Sequence, residues 1–125
     1  MTDPGRLALI VCGGRDYSDR PAVDRALDHA SPAVVVSGRA RGADRLGADW
    51  ALERGCRLVE VPALWDAHGR GAGPRRNEWM LVLLQALQTA GVVSRVGVVA
   101  FPGGKGTAQM VGIAEAAGVG VWRPT

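Results

Sequence analysis

Three glycine-rich segments of the sequence each follow a run of apolar residues directly. They span residues 13–16, 37–44 and 102–107. Glycine lets backbone N–H groups approach an anion closely, and a helix that begins after such a turn adds unpaired N–H groups and the positive end of its dipole. The chemistry that this pattern predicts is the binding of a phosphate group, mainly by backbone atoms.

The third segment carries the strongest signal of the three. Lys105 adds a positive charge to it and Thr107 adds a hydroxyl group. The segment is not a Walker A loop, because its spacing is wrong and no Lys-Ser/Thr pair is present. The alternative to a phosphate site is a tight turn between a strand and a helix that binds nothing.

The first two segments carry polar side chains beside the same expected crevice. Arg15 is suited to pairing with a phosphate and Asp16 to accepting from a ribose hydroxyl, but the two also fit a surface pair that caps a helix. This segment lacks the third glycine of a dinucleotide fingerprint. Ser37 and Asp44 follow in the second segment, and Asp44 also fits simple stabilisation of a helix dipole.

Arg75, Arg76 and Asn77 open another predicted helix. Arginine suits bidentate contacts to phosphate, and two arginines at a helix N-terminus oppose the dipole unless an anion offsets them. A solvated helix start is the alternative. Trp65, in the loop before, is suited to stacking on a base or to covering the core, and the second is favoured. His68 has no second ligand partner, so we expect no metal site.

Together these considerations define the residues that we expect to bind the ligand. They are Gly13, Gly14, Arg15, Asp16, Ser37, Gly38, Asp44, Arg76, Asn77, Pro102, Gly103, Gly104, Lys105, Gly106 and Thr107.

Apolar runs that alternate with helical patterns predict the elements that position these residues. We expect strands at residues 7–12, 33–36, 57–61, 96–101 and 119–122, and a long loop at 63–74. Helices are expected after Ser18 or Asp19 and at about 43–54, 75–88 and 107–117. The alternation predicts a single α/β domain over residues 1–125, with a Rossmann-like three-layer architecture and a parallel five-stranded sheet of order 3-2-1-4-5. The order reverses between the first and fourth strands, where open α/β sheets bind ligands.

The composition sets limits on location and partners. The net charge is +3 and the arginines are scattered, so we do not expect a nucleic-acid partner. The N-terminal apolar run is too short for a membrane span or a secretory signal, and Cys12 and Cys56 fit reduced thiols, so we expect a cytoplasmic protein without a membrane partner. We expect no cofactor. The apolar helical stretch 79–87 fits either a deeply buried helix or a subunit contact, and we expect a homodimer built partly on it.

Four motifs together resemble the YspA-like branch of the SLOG superfamily. They are GGRDYSD at 13–19, SGRARGAD at 37–44, GPRRNEWM at 73–80 and FPGGKGTAQM at 101–110. The superfamily has a Rossmann-like fold and includes the Lonely Guy (LOG) phosphoribohydrolases and the DNA-processing protein DprA. The resemblance implies a nucleotide or nucleotide-derived phosphorylated ligand and, from family members, a dimer. Its implied role for the chain is that of a sensor or carrier.

The alternative that the resemblance implies is LOG-type cleavage of the N-glycosidic bond of a nucleoside monophosphate. Arg76 matches an arginine of the LOG motif, which makes it the candidate catalytic residue, and Met80 matches its methionine. Met110, however, stands where the LOG motif ends in glutamate. Such cleavage passes through a cationic sugar that a carboxylate stabilises, so Asp16, Asp44 or Glu78 would have to substitute. Arg39 also stands where relatives commonly have glycine.

Overall fold

Five short parallel strands form the centre of the molecule, which a computed structural model describes for residues 5–124. The strands are β1 (Leu7–Cys12), β2 (Val34–Ser37), β3 (Arg57–Glu60), β4 (Arg95–Ala100) and β5 (Val121–Trp122). Their order in the sheet is β3-β2-β1-β4-β5, and every neighbouring pair is parallel. The predicted Rossmann-like α/β fold and strand order are confirmed.

Helices cover both faces of this sheet. They are α1 (Arg20–Ala30), α2 (Ala43–Arg54), α3 (Trp65–His68), α4 (Ala72–Thr89) and α5 (Lys105–Ala116), and a short 3₁₀ turn spans Gly69–Gly71. Leu9 and Val11 pack with α1 and α2 on one face, whereas Ile10 packs with α4 and α5 on the other. Because successive strand residues point to opposite faces, a strand covered on both sides must be apolar throughout. No helix in residues 5–124 combines the length and the apolar character needed to cross a membrane.

The structure shows which of the two expected residues, Ser18 or Asp19, caps the N-terminus of α1. Asp19 accepts a hydrogen bond from the backbone N–H of Ala22 at 3.0 Å, and Pro21 lies in the first turn. Asp19, not Ser18, is therefore the N-cap. Proline is tolerated in that first turn because its missing N–H would have no partner there.

The segment 63–74 was expected to be a loop without regular structure, and this prediction is wrong. It contains α3, the 3₁₀ turn and the first three residues of α4. Ala72 is completely buried, so tertiary packing fixes the start of α4. Pro74 is the third residue of that helix, where a proline ring is accommodated.

The other boundaries differ by one or two residues. Helix α5 begins at Lys105 instead of residue 107, because Gly104 acts as its N-cap and accepts from the N–H of Ala108 at 3.0 Å. The helix ends at Ala116 instead of residue 117, and Ala117 is exposed. The last strand is limited to Val121–Trp122.

Candidate functional site

A cleft of about 570 Å³ lies at the carboxyl ends of β1 and β4. These two strands are neighbours in the sheet although two whole β-α units separate them in sequence, so their following loops diverge and leave a crevice. Ten of the expected ligand-binding residues line this cleft: Gly13, Gly14, Arg15, Asp44, Arg76, Asn77, Gly104, Lys105, Gly106 and Thr107.

The three glycine segments contact one another at the cleft floor. The N–H of Gly14 donates to the carbonyl of Pro102 at 2.8 Å, and the N–H of Ala43 donates to the carbonyl of Gly14 at 3.2 Å. Gly42 has a φ of +80°, and a Cβ there would lie 2.1 Å from the Gly14 carbonyl oxygen. Glycine at position 42 is thus required for this close approach.

The N-terminus of α5 presents an open surface to the cleft. A Cβ on Gly103 would lie 2.6 Å from the backbone nitrogen of Gly14, so this residue is packed against the first loop. A Cβ on Gly104 or on Gly106 would meet nothing within 4 Å. The first N–H groups of a helix have no intrahelical partner. Open space therefore borders donors that can bind an anion.

Helix α4 supplies Arg76 and Asn77 to the cleft lining. The Arg76 guanidinium donates to the carbonyl of Gly38 and, through Nε, to Oδ1 of Asn77 at 3.0 Å. The amide nitrogen of Asn77 in turn donates to the carbonyl of Gly106 at 3.2 Å and to Oε1 of Gln109 at 2.6 Å. Asn77 is 5% exposed and ties α4 to the first turn of α5.

Asp44 is a buried carboxyl group in the cleft wall. Burial raises the pKa of Asp44 to about 6, although Arg76, the N–H groups of Ala40 and Gly38, and Arg15 favour its ionised form. Burial likewise lowers the pKa of Arg76, which Asp44 partly offsets. The two side chains form an electrostatically linked pair whose charges depend on each other.

Ser37 has a structural position beneath this pair. It is completely buried, and its hydroxyl donates to the backbone carbonyl of Asp44 at 3.1 Å and accepts from the N–H of Arg39 at 3.3 Å. Ser37 thereby connects the end of β2 to the first turn of α2. It holds Asp44 in place and does not line the cleft.

Cys12 lines the cleft as an uncharged thiol. Burial, with a smaller contribution from Asp44, raises the pKa of Cys12 to about 12. Nucleophilic cysteines have lowered pKa values because the thiolate is the reactive form. Cys12 is therefore a packing residue in this site, and the chemistry rests on other groups.

The charged groups that line the cleft are mostly positive. Four cationic side chains, Arg15, Arg70, Arg76 and Lys105, stand against the single carboxyl group of Asp44 among the described lining residues. Field lines concentrate in a cleft with low-dielectric walls. The arrangement favours a bound anion. No group of three or more His, Cys, Asp or Glu in residues 5–124 is placed to hold a metal ion.

Four further expected residues lie outside the cleft lining. Asp16 has a side chain that is 99% exposed and lies 3.9 Å from Arg41, so the structure does not direct it toward the cleft. Gly38 lies in an adjoining depression. Pro102 and Gly103 form the back of the third loop, against Gly14.

Trp65 and Arg70 also line the cleft; the sequence offered a ligand contact for Trp65 only as the less favoured alternative and gave no role to Arg70. Trp65 was expected to cover the core, but it is 49% exposed, and the Arg15 guanidinium lies 5.7 Å from its ring centroid. The short helix α3 carries Trp65 to the cleft mouth instead of into the core. Arg70 follows in the 3₁₀ turn, and the glycines around it gave the only sequence signal of a special conformation.

Comparisons with known proteins agree with this architecture. A sequence model described as "YAcAr: YspA, cpYpsA-related SLOG family" matches residues 7–68. The Gene 61 protein of Mycobacterium phage D29 is 38% identical over 79 residues, which cover 55% of the chain and 63% of that protein. The chain therefore spans less than two thirds of this relative.

The X-ray structure of DNA processing protein A (DprA) from Streptococcus pneumoniae is similar with a TM-score of 0.52. The similarity covers 94% of the chain and 58% of the DprA chain at 17% sequence identity, a level at which it shows the shared fold alone. The family match, the fold and the four sequence motifs lead to one assignment. The findings support assignment of the chain to the YspA-like branch of the SLOG superfamily, with the direct family match at residues 7–68.

Proposed function

We propose that the cleft binds a nucleotide or a nucleotide-derived phosphorylated ligand, and that the protein acts as its sensor or carrier. The observation that carries this proposal is the open N-terminus of α5, where Gly104 and Gly106 leave unpaired N–H groups accessible within a cationic cleft. A phosphate seated there receives backbone hydrogen bonds and the helix dipole. Lys105 and the Thr107 hydroxyl supply further donors.

The remaining walls of the cleft fit a nucleoside. Met80 and Met110 add apolar surface to the lining, and the half-exposed ring of Trp65 stands at the mouth. Ligand sites combine such apolar surface with a few polar groups that fix orientation. Arg76, held by Gly38 and Asn77, is placed to contact the phosphate or the sugar.

Isothermal titration calorimetry with AMP, ADP and ADP-ribose tests the proposal. Gly104→Asp places a carboxylate in the open space at the anion site and should weaken binding by about 100-fold or more, at the upper end of the range for a charge-assisted contact. Gly112→Asp is the matched control, because Gly112 is exposed on the same helix and a Cβ there also meets nothing within 4 Å. The control should bind as the wild type does. Absence of binding to all three compounds would refute the proposal.

The second candidate function is phosphoribohydrolysis, and the position of Asp44 favours keeping it. Among the described residues that line the cleft, Asp44 is the one that carries a carboxyl group. Glu78 and Asp16 are exposed and lie outside this lining. In this reaction water adds to C1′ of the sugar, the C1′–N bond breaks, and the base leaves with a proton. An ionised Asp44 would stabilise the cationic sugar or accept the proton of the attacking water.

Chromatographic detection of free adenine from AMP tests this second candidate. Base release should be lost in Asp44→Asn and in Arg76→Gln, and it should persist in Arg75→Gln, which removes the exposed neighbouring arginine. No adenine after long incubation at high protein concentration would exclude hydrolysis of AMP and leave the binding function in place.

We also propose that the chain forms a homodimer through α4. Trp79 and Val82 on this helix are 40% and 63% exposed, which is high for large apolar side chains that lie one turn apart. Residues three apart share a helix face. A second copy would remove this face from water.

A further inference from the structure

A second depression of about 480 Å³ adjoins the cleft. The two share Arg15, Ala40, Trp65 and Arg76 as lining residues, so a ligand can extend from one into the other. The contact of the Arg15 guanidinium with the Trp65 ring stands between them. We call the second space the side depression; Arg39, Arg41 and Pro62 are among the residues that line only this space.

The side depression has a strongly positive lining. Its charged lining residues are Arg15, Arg39, Arg41 and Arg76, and none of its described lining residues is acidic. The proposed phosphate site at α5 does not need Arg39 or Arg41, because neither lines the main cleft. The positive charges of Arg39 and Arg41 therefore have no role in the proposed phosphate site at α5.

The backbone at Arg39 adds an independent observation. Arg39 has a φ of +59°, a left-handed conformation that glycine adopts at the lowest cost. An arginine at such a position is strained, and strained residues concentrate at ligand sites. Arg39 brings a long cationic side chain to the lining of the side depression, where glycine would bring none.

The acidic partners of these arginines hold them loosely. Arg39 Nε lies 3.7 Å from an oxygen of Glu60, and Arg41 Nη2 lies 3.9 Å from an oxygen of Asp16. Both distances exceed those of a hydrogen bond, and all four side chains are well exposed. A bound anion can therefore compete for both guanidinium groups.

We infer that the side depression binds a second phosphate group of the ligand, with Arg39 and Arg41 as its specificity-determining residues. This inference rests on the proposed function and narrows it, because the ligand then carries two phosphate groups. One lies at the N-terminus of α5, and the other lies beyond the Arg15–Trp65 contact. Arg15 faces both spaces and contacts the part of the ligand that joins them.

Calorimetry with nucleotides of one and two phosphates tests the inference. AMP serves as the single-phosphate probe, and ADP and adenosine 3′,5′-bisphosphate serve as the two-phosphate probes. At least one two-phosphate probe should bind the wild type about tenfold or more tighter than AMP, as expected for an added charge-assisted contact. The double variant Arg39→Gln/Arg41→Gln should lose most of this gain and keep its affinity for AMP.

The control variant removes the same number of charges elsewhere. Arg45→Gln/Arg57→Gln changes two exposed arginines that line neither space, and it should retain the full gain. An equal loss in this control would overturn the inference, because it would show only a general effect of net charge. Equal affinity for AMP and both two-phosphate probes would also overturn it while the proposed function stands. Failure of all nucleotides to bind would remove the proposed function itself.

Discussion

At the scale of single residues, the pairing of Asp44 with Arg76 determines the electrostatics of the site. Asp44 is 5% exposed, so its ionised form loses most of its hydration. Arg76 and two backbone N–H groups stabilise the carboxylate and offset part of this lost hydration. The pKa of Asp44 nevertheless remains raised, at about 6. A buried carboxyl group that titrates near neutral pH is typical of functional sites.

The raised pKa of Asp44 predicts a pH dependence of stability. The pKa of Asp44 is about 6 in the folded protein and 3.8 when unperturbed, so the folded protein binds this proton more tightly than the unfolded chain does. The stabilisation that Asp44 contributes is fully present below the unfolded-state pKa of 3.8, and it is lost as the pH rises through the folded-state pKa of about 6. At 1.36 kcal/mol per pH unit, the total loss is about 3 kcal/mol.

The variant Asp44→Asn isolates this effect because it cannot ionise. Its free energy of unfolding relative to the wild type should rise by about 2 kcal/mol between pH 4 and pH 7, which is most of the total. Urea denaturation at several pH values in this range measures the difference. A difference that is independent of pH would contradict the assigned titration of Asp44.

Single residues also show where sequence reasoning reached its limit. The motif around Arg76 indicated a phosphate contact, and the structure places this side chain in the cleft. Asp16 has the same chemistry as Asp44, yet one is exposed and the other buried. Burial depends on how α2 packs on the sheet, and residue type and spacing do not encode that directly.

At the scale of elements, the apolar strands were predictable and the start of α4 was not. β1 reads as a continuous apolar run because both its faces are covered, and the structure gives it the predicted bounds. Residues 63–74 contain glycines and a proline, which lowered their apparent helical character. The burial of Ala72 overrides these local preferences, because tertiary packing outweighs intrinsic propensity.

The loop before α5 gives a prediction about two adjacent glycines. Gly103→Ala should destabilise the protein by about 1–3 kcal/mol, because the new Cβ would lie 2.6 Å from the Gly14 backbone nitrogen and force the first and third loops apart. Gly104→Ala should cost about 1 kcal/mol or less, because its Cβ enters open space and only the N-cap preference for glycine over alanine is lost. Chemical denaturation of both variants measures this contrast. Equal stability of the two would show that the loops do not pack as described.

At the scale of the whole molecule, the strand order brings distant segments of the chain together. Residues 13–14, 76–77 and 104–107 are far apart in sequence, and they meet because β1 and β4 are neighbours at the centre of the sheet. The alternation of strands and helices, taken with right-handed crossovers, led to the predicted strand order, which the structure confirms. The side depression was not predictable, since it depends on the exact course of the loop after β2.

The outer surface of the molecule gives the last prediction, which concerns assembly. A homodimer built on α4 would bury Val82, so Val82→Glu should shift the protein to a monomer by placing a charge in an apolar contact. Leu52→Glu is the matched control, because Leu52 on α2 is 67% exposed against 63% for Val82. The control should stay dimeric. Light scattering after size-exclusion chromatography at micromolar concentration measures both masses, and a monomeric wild type would contradict the proposed dimer.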